Sequence, residues 1–295
     1  LRIDLHSHSS CSDGTDPPAV LIAKAAAAGV DVLGLTDHDT FVGWDEARAA
    51  AERAGIGLVV GAEVSCRLGG KSVHMLAYLP DPTDPELVAT LRRVRDGRNA
   101  RVPVILERLR ANGIELTPED VAAQSSAATS LGRPHVADAL VARGYATDRR
   151  DAFDRWLSEG RSAYVTRYAP GPAEVIHRVL AAGGAPVLAH PRGRASRKIL
   201  TDEVIGELAE SGLAGVEVDH HDHSPEVRKE LRALAADLDL AALGSSDHHG
   251  AGKTDHDLGC YTTDEGEFAR LLDRARAAAE RSGHTTPAPY LPKST

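Results

Sequence analysis

The chain has 295 residues, enough for one α/β barrel-sized domain or for a core domain with an insertion. At 42% hydrophobic and 26% charged it can bury a sizeable core and need not be disordered. No apolar run approaches the roughly 18 residues of a membrane span. Its 34 basic and 43 acidic residues give a formal charge of −9, which argues against broad binding along a nucleic-acid duplex but leaves room for a local basic pocket.

Ile3 and Leu5 alternate with polar neighbours and read as a short strand. His6 and His8 follow at its end. On an extended chain i and i+2 share a face, so two imidazoles leave side by side as half a metal site. Taken alone, the pair reads equally as an exposed edge, and the rest of the chain has to decide. Gly14 and Asp16-Pro17-Pro18 open a helix, leaving Asp13 on a strand-to-helix loop. Residues 19–28 are alanine-rich helix ended by Gly29. Residues 30–35 form a second strand that ends in Thr36-Asp37-His38-Asp39. After a helix at 44–54, residues 57–64 form a third strand, apolar on both faces except for Glu63. A carboxylate there needs partners, because burying a charge alone is too costly. A turn around Gly69-Gly70 leads to a fourth strand at 73–79, with His74 near its start.

From 84 to 164 no strand pattern is found. Helical patterns run from 86 to 111, from Thr117-Pro118, from Gly132-Arg133-Pro134-His135 and from 148 to 159. The basic face between Arg92 and Arg110 reads as a solvated helix surface, or as a guide for RNA. Trp156 and Tyr164 read as core residues of this segment that could also stack on a base. The strand–helix rhythm then resumes. Strands at 185–189, 213–218 and 240–244 end in His190-Pro191-Arg192, in Asp219-His220-His221-Asp222-His223 and in Ser246-Asp247-His248-His249. A last helix spans 264–281, and the proline-containing tail reads as loose.

Seven helix-linked, mostly parallel strands predict an α/β fold: a closed barrel, residues 1–83 and 165–295, with a small helical insertion at 84–164. In such folds the site lies at the C-terminal strand ends, where these His, Asp and Glu residues fall. His74 joins them if the fourth strand runs antiparallel to the third. Imidazoles and carboxylates without cysteine suit Zn²⁺, Mn²⁺ or Fe²⁺, and there are too many donors for one ion, so two or three divalent ions are expected. Cys11, Cys66 and Cys260 are odd in number and far apart, which suggests no disulfide framework and a cytoplasmic setting. No signal-peptide pattern precedes the first strand.

His6-Ser-His8, Thr36-Asp37-His38, Gly61-Ala-Glu63, His74, Ala189-His190-Pro191 and Ser246-Asp247-His248-His249 together resemble the motifs of the PHP (polymerase and histidinol phosphatase) family. The resemblance implies a distorted seven-stranded β/α barrel that is a two- or three-metal phosphoesterase. The helical insertion carrying Gly132-Arg133-Pro134-His135 implies the branch associated with 3′,5′-bisphosphonucleotide hydrolysis and 5′-to-3′ exonuclease action on short RNA. It implies a first ion on His6, His8, Glu63 and Asp247, a second on Glu63, His74 and His190, and a third on Asp13, His38 and His249. Two features depart from relatives: His248 stands where they often have an apolar or aromatic residue, and Gly193 lies between Arg192 and Arg194 rather than before the arginine.

On this reading metal-activated hydroxide attacks phosphorus. Arg133 and His135 are expected to bind phosphate, with Arg192 and Arg194 as weaker candidates. Asp37 is expected to orient a ligand imidazole, and His248 to support the metal site or touch substrate. His220, His221 and His223 read as a solvated loop, and Lys253 and His256 as a polar loop with no assigned role. The expected partner is a small phosphorylated molecule, a nucleotide or short oligonucleotide, with no duplex and no membrane. The alternatives are a histidinol-phosphate phosphatase, which shares the metal motifs, and a non-catalytic metal-binding barrel, which would lack ligands. A polymerase proofreading module is not expected, because no polymerase follows.

Overall fold

A computed structural model describes residues 1–125, 127–193 and 196–292. The strands are β1 (Ile3–Asp4), β2 (Val32–Leu35), β3 (Gly57–Leu68), β4 (Lys71–Tyr78), β5 (Ala185–Leu188), β6 (Gly215–Asp219) and β7 (Ala241–Gly244). They form one sheet in sequence order, the seven-stranded α/β barrel expected from the strand–helix alternation. Bridges from Ser7 to His248 and from Ile3 to Thr263 bring its first and last strands together. All neighbours pair in parallel except β4, which is antiparallel to both β3 and β5. The cause is local. Gly69 and Gly70, at φ 52° and 82°, take the left-handed backbone a tight turn needs and fold the chain straight back. Reversing β4 puts its start level with the ends of the parallel strands, so His74, paired with Ser65, reaches the same rim.

The flanking helices are written plainly in the sequence. α1 (Pro18–Ala27) has proline in its first turn and buries Leu21, Ile22 and Ala25 on one face. α2 (Trp44–Ala54) carries Asp45 and Glu46 in its first turn and Arg53 in its last, matching the helix dipole, and stops at left-handed Gly55. These two helices pack on β1–β3 around Leu33, Leu58 and Val60. A second core forms where β4–β7 meet α7 (Pro172–Ala181), α8 (Asp202–Glu210) and α9 (Pro225–Asp237). α10 (Glu265–Ser282) closes the first core with Phe268 and Leu271.

Between β4 and β5 the described residues form α3 (Pro85–Ala111), α4 (Pro118–Ala122), α5 (Arg133–Ala142) and α6 (Arg149–Ala152), and α6 runs into a π-helical turn at Phe153–Leu157. Asp84 and Thr117 cap the first two through side-chain oxygens. Residues 102–163 have their own core, including Ile105, Leu109, Val136, Leu140 and Leu157. The helix expected at 148–159 is therefore one α-turn followed by a wider turn. Two further expectations are corrected. Arg98 and Arg101 on α3 are buried, whereas Arg92, Arg93, Arg108 and Arg110 are exposed, so only part of its basic face is solvated. The C-terminal tail is not loose as far as Tyr290, which exchanges backbone hydrogen bonds of 2.9 and 2.7 Å with Leu58.

Candidate metal centre

β1 delivers His6 and His8 with both rings fully buried and their Nε2 atoms 3.0 Å apart. His6 Nε2 lies 3.4 Å from Glu63 Oε2 and 3.4 Å from Asp247 Oδ1. His8 Nε2 lies 3.2 and 3.4 Å from the same two atoms. Two imidazole nitrogens and two carboxylate oxygens this close define one cation-sized focus. Glu63, the lone charge of β3, is the hub. Its Oε1 is 2.7 Å from His74 Nδ1 and 3.1 Å from His190 Nε2, and its Oε2 is 3.1 Å from His38 Nδ1. One carboxylate thus meets five imidazoles. A further group gathers at the Nδ1 edge of His8, where Asp13 lies 3.3 Å from His249 Nε2, 3.8 Å from His38 Nε2 and 3.7 Å from His8 Nδ1. His38 faces both Glu63 and Asp13.

These donors fit divalent ions rather than one another. His74 Nδ1 approaches Glu63 without the alignment of a hydrogen bond, and Asp247 Oδ1 is likewise buried with no hydrogen-bond partner among the described residues. Burial opposes ionising Glu63, but His38, His74 and His6 outweigh it and hold the carboxyl well below its usual range. Asp13 is held down in the same way by His38 and His249, and Asp247 by Lys253 and His6. Burial pushes His38 down to about 3 and His249 to about 4, the latter helped by His8. Burial also opposes protonated His8, but Asp247 and Glu63 raise it to about 9. The ionised carboxylates and the neutral His38 and His249 are in the donor states a divalent cation requires, whereas His8 has to give up a proton when such an ion binds. The backbone is strained here too: Asp247 and His190 sit at φ 53° and 25°, costly for residues with a Cβ and typical of functional sites.

Glu217 is the residue sequence reasoning missed. Fully buried on β6, it accepts from His6 Nδ1 at 2.9 Å and from the His190 backbone N–H at 2.7 Å. It also accepts from the Ser245 hydroxyl. A lone glutamate between Val216 and Val218 is the same signal that exposed Glu63. Asp4 on β1 acts alike, accepting from the N–H groups of Ser246 and Gly259 at 2.9 and 2.8 Å and fixing the loop after β7.

Several expected roles change. Asp37 meets no imidazole directly. It accepts from the Ser9 N–H and hydroxyl and from the Ser12 hydroxyl at 2.8, 2.6 and 2.5 Å, and so shapes the loop that carries Asp13. Gly14 lets that loop fold back, since a Cβ there would meet His8 O at 2.3 Å. His135 has no nitrogen left for phosphate: Nδ1 accepts from the Gly132 N–H and Nε2 donates to Ser12 O, each at 3.0 Å. Arg192 is taken up by Leu200 O and the Asp202 carboxylate. His248 donates from Nδ1 to His256 O at 2.7 Å, and its buried Nε2 has no partner among the described residues. Arg133 donates to Leu157 O at 3.1 Å, its Nε is unpartnered, and it lines a pocket beside the rim. Arg194 lies outside the described residues. The loop after β6 is not solvated throughout. His220 and His223 are buried, and only His221 is exposed. His223 is held by Val218 O at 2.8 Å, while His220 Nε2 lies 3.4 Å from Asp247 Oδ2, to which Lys253 also donates.

The PHP domain family model matches residues 4–111. A 3′,5′-nucleoside bisphosphate phosphatase of Chromobacterium violaceum is 34% identical over 273 residues, covering 92% of this chain and 95% of that protein. A 5′-3′ exoribonuclease of Haemophilus influenzae is 34% identical over 253 residues, covering 84% and 90%. Among solved structures, a candidate metal-dependent phosphoesterase from Bifidobacterium adolescentis superposes with a TM-score of 0.88 at 38% identity, over 92% of this chain and 95% of its own.

Proposed function

The chain belongs to the PHP family and is a metal-dependent phosphoesterase, and from this premise we propose that it removes phosphate from a nucleotide phosphorylated at both 3′ and 5′ positions or from the 5′ end of a short RNA. The observation that carries the reading is Glu63, one buried carboxylate within 3.4 Å of five imidazoles at the barrel rim. The two curated relatives described above are named for a nucleoside bisphosphate and for RNA, each with more than one phosphate. Neither name favours histidinol phosphate. None of the nine expected ligands is missing, as a non-catalytic barrel would require.

We assign one ion to His6, His8, Glu63 and Asp247, a second to Glu63, His74 and His190, and a third to Asp13, His38 and His249, with His38 also near the second. Nitrogen and oxygen donors without sulfur suit Mn²⁺, Zn²⁺ or Fe²⁺. When bound, such ions supply Lewis acidity toward phosphoryl oxygens and a water of lowered pKa as nucleophile. The chain's own part is to aim the donors and hold them still. Glu217 takes the His6 Nδ1 proton as its hydrogen-bond partner, leaving Nε2 as the donor atom. The same carboxylate anchors His190 through its backbone. Asp37, Ser9 and Ser12 hold the Asp13 loop. Residues 84–164 serve as a substrate cap, with Arg133 offering its guanidinium to phosphate. A cytoplasmic setting is part of the reading, as the three cysteines are unpaired, and no helix of the described residues is long and apolar enough to cross a membrane.

The test is phosphate release from adenosine 3′,5′-bisphosphate, AMP, histidinol phosphate and a 5′-phosphorylated RNA, each with Mn²⁺ and again after chelation. Chelator-sensitive turnover of the bisphosphate or the RNA, with histidinol phosphate untouched, is expected. Turnover of histidinol phosphate alone would overturn the reading.

A further inference from the structure

Among the described residues, Asp247 is the one carboxylate assigned to an ion that also carries an ammonium. Its Oδ1 lies 3.4 Å from both His6 and His8, on the side of the first ion, and its Oδ2 accepts from Lys253 Nζ. Glu63 and Asp13, the other two, have only imidazoles within ion-pair distance among the described residues. For holding a divalent ion the ammonium is a poor choice, since like charges this close repel, and more strongly at a buried site. A neutral donor would orient Asp247 without that cost, and one is already present. His220 Nδ1 accepts from the Asp222 N–H at 3.1 Å, which puts the proton of the neutral ring on Nε2. That Nε2 is buried, has no hydrogen-bond partner among the described residues and lies 3.4 Å from Asp247 Oδ2.

Lys253 is also delivered to this place by a built loop. It follows a tight turn at Gly250–Gly252, wedged between the Asp13 loop and the helical insertion. The Ala251 N–H donates to Thr15 Oγ1 at 3.0 Å. A Cβ at Gly250, where φ is 63°, would meet that same oxygen at 2.0 Å, and a Cβ at Gly252 would lie 2.2 Å from an Arg149 nitrogen. Asp138 holds Arg149 in place with bonds of 2.5 and 2.6 Å. Glycine alone fits at these two points, so the chain runs close past the rim and aims the next side chain inward. The Lys253 side chain is 34% exposed, and Asp247 is its one acceptor among the described residues, which leaves two of its three N–H groups unspent.

A cation kept beside a cation site suits an anion that enters between them. A phosphoryl group in transfer spreads charge over its oxygens, and the flexible stem of a lysine lets its ammonium follow one of them. We propose that Lys253 is a catalytic residue: its ammonium leaves Asp247 for an oxygen of the scissile phosphate, and the His220 Nε2–H takes over Asp247 Oδ2. This rests on the ion assigned above to Asp247, and it holds whichever molecule carries the phosphate.

The test compares wild type, Lys253→Met and Lys253→Arg by calorimetry, first with Mn²⁺ and then, at saturating Mn²⁺, with inorganic phosphate. Lys253→Met is expected to bind Mn²⁺ at least as tightly as wild type, because a neighbouring positive charge is gone. Its phosphate affinity is expected to fall about 10- to 100-fold, as loss of a charged hydrogen bond implies, with kcat/KM for adenosine 3′,5′-bisphosphate falling alongside and Lys253→Arg recovering part of both. The Lys253→Met, His220→Phe double variant leaves Asp247 Oδ2 without a donor, so it is expected to lose Mn²⁺ affinity that Lys253→Met keeps. Phosphate affinity unchanged in Lys253→Met would overturn the proposal. A phosphate loss matched by an equal loss of Mn²⁺ affinity would do the same, since Lys253 would then act only by holding Asp247. Equal Mn²⁺ affinity in the single and double variants would overturn the exchange with His220. A wild type that binds no Mn²⁺ would refute the ion assignment and this proposal with it, whereas Mn²⁺-dependent phosphate binding without turnover of the bisphosphate or RNA would refute the nucleotide reading alone.

Discussion

Glu217 and Glu63 present the same sequence signal, a single glutamate inside an apolar strand, yet they do different work. Glu63 faces five imidazoles, whereas Glu217 holds one imidazole and one backbone N–H. The sequence exposes such a residue because a buried carboxylate must have partners. It does not say which partners, since these come from other strand ends, as far as 211 residues away in the case of His6 and Glu217. Glu217→Gln keeps the shape but loses the charge that fixes the His6 tautomer. A 10- to 100-fold loss in Mn²⁺ affinity or activity is expected, measured by metal titration, with the folded state retained by circular dichroism. Unchanged affinity would remove Glu217 from the site. His135 teaches the converse. The Gly132-Arg133-Pro134-His135 run announces a helix start but not that the ring is used up on Gly132 and Ser12.

α3, α5 and α6 dock onto the rim through a few polar contacts. Arg98 of α3 pairs with Asp39, which also accepts from the Ser65 N–H at 2.8 Å, while Arg95 donates to Asp39 O at 2.5 Å. Three successive carbonyls of the Asp13 loop, those of Cys11, Ser12 and Asp13, accept from Thr129, His135 and Arg149 at 3.0 Å each. The helices themselves were legible from caps and periodicity. The burial of Arg98 and Arg101 within the basic stripe was not, because periodicity shows a stripe and not what packs on it. Arg98→Met leaves Asp39 buried and unpaired. It should cost about 3–5 kcal/mol in denaturant unfolding, with the Asp39→Asn, Arg98→Met double variant recovering part of the loss. Equal stability of Arg98→Met and wild type would show that the pair is not what docks α3. His135→Ala should weaken Mn²⁺ binding about tenfold by loosening the Asp13 loop, and a metal titration matching the wild type would contradict that.

At the scale of the molecule, the strand–helix rhythm and the Gly69-Gly70 turn made the barrel and its one reversed strand readable, since both follow from local rules. The return of Tyr290 to Leu58 was not readable, because it depends on where α10 leaves the chain. The donors assigned to the centre come from both ends of the sequence, His6 to His249, so bound metal should stabilise the whole barrel. At a hundredfold excess over Kd, one ion adds about 2.7 kcal/mol. Chelation is therefore expected to lower Tm measurably, and a Tm indifferent to chelator would argue against metal at this rim.

The central claim is that this rim is a multi-ion phosphoesterase centre. Its most direct test is to titrate metal-stripped protein with Mn²⁺ while following phosphate release from adenosine 3′,5′-bisphosphate. The account predicts no turnover without metal and a rate that keeps rising beyond one equivalent per chain. Turnover that persists without metal, or saturates at a single equivalent, would contradict it.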